Sequence, residues 1–123
     1  MAPKDKAELA REHLERALPV VTTGDYTEAV TWLFASLEAA VVGIAELHGC
    51  KTLKTHWNKA EVAKELHESG VLEADFSRTL GILNVARKVA VYEGEEPNLQ
   101  GSSLEDLAAD VETAVEAAEQ GPS

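Results

Sequence analysis

Apolar residues return every three or four positions along most of this chain, the period of an amphipathic helix. The first such stretch covers about residues 5–18, with Ala7, Ala10, Leu14, Ala17 and Leu18 on one face. Pro19 is expected to end or kink it, because the residue before a proline is biased away from the helical region. The second runs over about 25–48 and the third over about 58–69, where Val62, Ala63 and Leu66 point inward. The fourth covers about 75–92. The fifth covers about 103–119, with Leu104, Leu107, Ala108, Val111, Val115 and Ala118 aligned. No segment alternates as a half-buried strand does, and Val89–Val91 continues a helical period. The chain is predicted to be all-α, an antiparallel four- to five-helix bundle in one domain spanning 1–123, with 120–123 a frayed tail.

Helix ends carry their own signals. Asp5–Glu8, Asp25–Glu28, Asn58–Glu61 and Ser102–Glu105 each place a capping residue three before a glutamate. In a capping box the first side chain accepts from the opening turn and the glutamate reaches back. Gly49, Gly70 and Gly94 sit where left-handed C-terminal caps are expected. The segment EGEEPNLQGSS (93–103) reads as a polar loop.

The second helix is the most apolar. Val30, Leu33, Phe34, Leu37, Val41 and Ile44 form one face, and Trp32, Ser36, Ala39 and Gly43 form another. A helix apolar on two faces is either central or shared with a second subunit. A domain of 123 residues has little core to cover both, so a homodimer is expected.

Composition narrows the function classes. The single cysteine, Cys50, forms no internal disulfide, which fits a reducing compartment. No apolar run approaches the ~20 residues of a bilayer span, and the N-terminal segment lacks an apolar signal core. A cytoplasmic protein without a membrane partner is expected. Net charge is −11, which argues against a general nucleic-acid coat. All 11 Lys and Arg lie within residues 1–88, while residues 89–123 hold nine acids and no base. The first 88 residues are therefore nearly neutral and can present a local basic site.

Arg87 is the residue out of place. At 100° per residue it falls inside the stripe of Phe76, Leu80, Leu83 and Ala90. A guanidinium in an apolar setting needs an anion, either an internal carboxylate or an external phosphate. Lys88 and Tyr92 stand near it, pointing away from the stripe. A second candidate is CKTLKTHWNKAEV, with Lys51, Lys54, His56, Lys59 and Trp57 at a helix start. Backbone N–H groups and lysines there suit an anion, and Trp57 suits stacking on a base. The four histidines form no i, i+4 pair, and His48, Cys50 and His56 lack a fourth zinc partner, so no metal or other cofactor is expected. There is no glycine-flanked serine elbow and no P-loop or Rossmann glycine pattern.

The order of GDYTEAVTWLFASLEAAV, LHGCKTLKTHWNKAEVAKELHESGVL and LNVARKVAVYEGEEP resembles the HEPN superfamily of helical nucleotide-binding domains. The likeness covers most of the chain. It implies a four- or five-helix bundle, usually a homodimer with a cleft at the interface. Many members are ribonucleases of toxin–antitoxin, antiviral or RNA-processing systems. Others are non-catalytic and are often paired with a minimal nucleotidyltransferase. The ribonucleases carry an arginine followed four to six residues later by histidine. Here Arg87 matches the arginine, but Lys88, Val89, Ala90, Val91 and Tyr92 follow it, and no histidine comes after His67. RNA cleavage needs a proton acceptor and donor, and tyrosine is a poor base at neutral pH.

The expected function is therefore a non-catalytic module binding a nucleotide or RNA phosphate through Arg87, with Lys88, Tyr92, His56, Lys54 and Trp57 around it. A protein-interaction module, with Arg87 paired internally to Glu38, is the first alternative. A metal-independent ribonuclease using Arg87 and His56 is the second.

Overall fold

The computed structural model describes residues 5–23, 25–48, 59–72, 74–93 and 99–120, with Lys59, Ala60, Val91 and Glu93 described by backbone alone. Five α-helices follow in order: α1 (Lys6–Thr23), α2 (Tyr26–Leu47), α3 (Lys59–Glu68), α4 (Ser77–Lys88) and α5 (Leu104–Gln120). A π-helical turn, Val89–Glu93, continues α4. No strand occurs among the described residues. The protein is an all-α bundle, as the periodicity requires.

α2 is its centre and touches every other helix. One face, with Val30, Leu33, Leu37, Val41 and Ile44, is buried in the core. The small-residue face is taken by α1. Ser36 Oγ donates to the Ala10 carbonyl at 2.7 Å. A Cβ on Gly43 would lie 2.9 Å from Lys6 Cβ. The Trp32 ring stacks with His13 at 5.4 Å and carries the Arg16 guanidinium at 4.9 Å. These contacts pair 6 with 43, 10 with 36, and 13 and 16 with 32, so the two helices run antiparallel. Glycine and alanine on this face let α1 approach closely enough to cover it within the chain. By length and composition α2 could cross a membrane, against the expectation from the sequence, but more than half of it is buried inside the bundle.

Other ends shift by small amounts. Pro19 does not stop α1, which runs on to Thr23. Val21 is buried in the core beyond it, and that burial offsets the hydrogen bond a proline removes. Leu18, expected inside, is 39 % exposed, and Val21 takes the inner position. Asp25 caps α2 by accepting from the Glu28 N–H at 3.1 Å. Its own N–H goes to the Val20 carbonyl at 3.2 Å rather than to a glutamate, closing the end of α1. Asp5 accepts from Ala7 N–H at 2.7 Å. At α5 the capping box is one residue later than expected. Ser103 Oγ accepts from Asp106 N–H at 3.0 Å, and Asp106 Oδ2 accepts from Ser103 N–H at 3.3 Å. Gly70 takes φ +82° and ends α3, with Val71 N–H bonded to the Leu66 carbonyl. Asn58, Gly49 and Gly94 lie outside the described residues.

Candidate functional site

Arg87 sits in the last turn of α4, at the edge of the core and not in its middle. The buried stripe runs through Phe76, Thr79, Leu80, Ile82, Leu83 and Ala86. Ala86, not Arg87, carries it into the final turn, so the guanidinium is half-buried. Thr79, on the same stripe, donates from Oγ1 to Asp110 Oδ2 on α5 at 3.1 Å and pins the start of α4.

Among the described residues, two contacts position Arg87. Its Cζ lies 4.8 Å from the centroid of the Phe34 ring on α2. Nη2 donates to Asn84 Oδ1, one turn back, at 3.2 Å. A guanidinium over a ring face gains roughly 0.5–2 kcal/mol, more as it loses water. Its Nε–H is buried and meets no acceptor among the described residues. A donor left so costs about 1–3 kcal/mol. Among the described residues no ion pair between Arg87 and Glu38 is seen. Phe34 and Asn84 occupy the inner side of the guanidinium, and neither carries charge.

The backbone changes character immediately after Arg87. Val89 N–H is shared between the Val85 and Ala86 carbonyls, and the chain then widens into the π turn. This is where the sequence reading extended the α-helix to 92. Single π turns occur often at functional positions. Ala90 stays buried, while Lys88 is exposed and Tyr92 is 76 % exposed. Val85, Lys88, Val89 and Tyr92 line a shallow groove on the outer side. The structure thus brings Arg87, Lys88 and Tyr92 to one end of α4, Arg87 on its inner edge and the other two outside. Lys54, His56 and Trp57, with Cys50, lie outside the described residues. No cluster of three or more metal-ligating side chains occurs among the described residues.

Two features were not read from the sequence. One is the fork between Arg11 and Glu119, which ties α1 to α5: Nη2 to Oε1 is 2.6 Å and Nε to Oε2 is 3.0 Å. The hydrogen bond from Arg11 holds the Glu119 carboxyl below the usual carboxylate range, and the same bond raises Arg11. Similarly, the hydrogen bond with Ser77 lowers Asp75 at the start of α4. The other is a cleft of about 550 Å³ between the C-terminal end of α2, the segment before α4, and α5, with His48, Phe76 and Glu116 among its lining. Its walls come from distant stretches, so no spacing in the sequence announces it. Compared with family models, with curated proteins and with solved structures, the chain matches none.

Proposed function

We propose that this chain is a HEPN-like, non-catalytic helical module that binds the phosphate of a nucleotide or RNA through Arg87, with Lys88 and Tyr92 beside it. One observation carries the reading: a half-buried guanidinium is positioned by Phe34 and Asn84, and among the described residues no carboxylate pairs with it. A side chain held by uncharged partners keeps its charge available to an incoming anion, and its planar fork matches two phosphate oxygens. Tyr92 offers a ring for a base, and Lys88 adds a second cation within the same turn. Membership of a toxin–antitoxin pair or of a pair with a nucleotidyltransferase-like protein, and a homodimer, belong to the same proposal. The dimer needs a surface other than the small-residue face of α2.

The test is binding of a short single-stranded RNA and of ATP, followed by anisotropy and calorimetry at low salt. Arg87→Met should weaken binding about 10- to 100-fold, the worth of a charge-assisted contact. It should also reduce the salt slope by about one phosphate. Its thermal midpoint should stay at or above that of wild type, because the variant removes a buried, unmet Nε–H. Equal binding by Arg87→Met and wild type, or no binding by wild type at millimolar nucleotide, ends the proposal.

A further inference from the structure

α4 is the one net-basic helix of the five. It carries Arg78, Arg87 and Lys88 and no acid, in a chain of net charge −11. By contrast α5 carries six acids and no base. The ion pairs seen among the described residues join Arg11 to Glu119 and Lys64 to Glu68, and neither draws on α4.

The outward face of α4 is apolar as well as basic. Val85, Lys88, Val89 and Tyr92 follow the i, i+3, i+4, i+7 spacing of one helical face and share a groove. Val85 is 53 % exposed. Arg78 lies two turns before Val85 on the same side and is exposed. Gly81 stands between them, and nothing lies within 4 Å of the place its Cβ would occupy. Valine, glycine and valine along an exposed helix do not help an isolated helix to form. Their value is in contact with something.

We propose that this face docks a partner protein through a helix whose apolar side is bordered by carboxylates. The apolar stripe takes the partner's apolar residues, and Arg78 and Lys88, one at each end, take its acids. A second copy of the chain is a worse match. Packing α4 antiparallel on α4 would bring the cations of the two copies together, and like charges in contact repel. A phosphate backbone would meet the cations but give Val85 and Val89 no apolar partner. The proposal does not depend on Arg87 binding phosphate.

The probe is an alanine-based helical peptide of about 18 residues, long enough to hold a helix, with leucines at i, i+3, i+4 and i+7. One form has glutamates beside the leucines, the other lysines. Each is titrated into the full isotope-labelled chain. The glutamate form should shift backbone amides of residues 78–92 saturably, and the lysine form should not. Val85→Glu and Lys88→Glu, both at exposed positions, should each weaken binding about tenfold or more without changing the helical circular dichroism. Arg87→Met should change peptide affinity by no more than about twofold, so this proposal and the phosphate reading fail separately. The proposal is overturned by equal binding of the two peptides, by shifts centred on another helix, or by no saturable shift at millimolar peptide. It is equally overturned if those resonances broaden with chain concentration alone.

Discussion

Arg11 and Arg87 are both half-buried arginines at helix edges, and they meet opposite fates. Arg11 spends its Nε and Nη2 donors on one carboxylate, Glu119, across the α1–α5 seam. Arg87 has an amide, an aromatic ring and a buried Nε–H that meets no acceptor among the described residues. The surroundings differ in the same sense. Where α1 meets α2 and α5, close approach is matched by satisfied groups such as Ser36 on the Ala10 carbonyl. At the end of α4, the helix opens into a π turn, apolar side chains face water, and no ion pair with the cations is seen among the described residues. Among the described residues, the Arg11 guanidinium meets a carboxylate and the Arg87 guanidinium meets uncharged groups. Exposed apolar side chains beside such a cation are where a ligand or partner is sought.

The largest break in that contrast comes from truncating apolar residues. Leu37 is fully buried in the core, and Leu37→Ala should cost about 2–5 kcal/mol. Val85→Ala, at the exposed face, should stay within about 0.5 kcal/mol. Urea unfolding of both variants checks this, and similar losses would mean that α4 is packed in solution against something in the chain itself.

Two helical glycines sharpen it further. At Gly43 a methyl group would meet Lys6 Cβ at 2.9 Å, so overpacking of about 1–3 kcal/mol outweighs the gain of about 1 kcal/mol in helix propensity. A net loss near 1 kcal/mol is expected for Gly43→Ala. At Gly81 the space is open, and Gly81→Ala should stabilise by about 0.5–1 kcal/mol. Opposite shifts in thermal midpoint are the expected result, and a loss at Gly81 would show the space to be filled.

The smallest effect is that of the Arg11–Glu119 fork. Its side chains are 30 % and 38 % exposed, so screening limits it to about 0.2–1 kcal/mol. Glu119 is held below its ordinary range by Arg11. Its contribution is therefore present above the carboxylate's unfolded range and fades as pH falls through the lowered folded value. Glu119→Gln should destabilise slightly at pH 7 and converge on wild type in acid. A difference that grows in acid would contradict this sign.

The sequence made the helices legible wherever one rule sufficed. Apolar spacing named the inner faces of α3 and α5, Asp25 named the start of α2, and Gly70 the end of α3. Where two rules competed, the reading moved. Pro19 argued for a stop, yet burial of Val21 carried α1 on. Ser102 and Ser103 both fit a cap, and Ser103 with Asp106 closed the box. The candidate site was legible only as a misplaced arginine. Periodicity put Arg87 in the stripe, whereas the structure puts Ala86 there and leaves Arg87 at its edge.

By itself the sequence determined an all-helical chain, its helices, most of their inward faces and the charge difference between α4 and α5. Those follow from local steric and hydrophobic rules acting within a few turns. Only the tertiary structure decided that α1 covers the second face of α2, that Arg11 meets Glu119, and that Arg87 meets Phe34 in place of a carboxylate. Each of these joins residues far apart in the chain, and which side chains converge depends on how close two helices approach, a distance no single helix encodes.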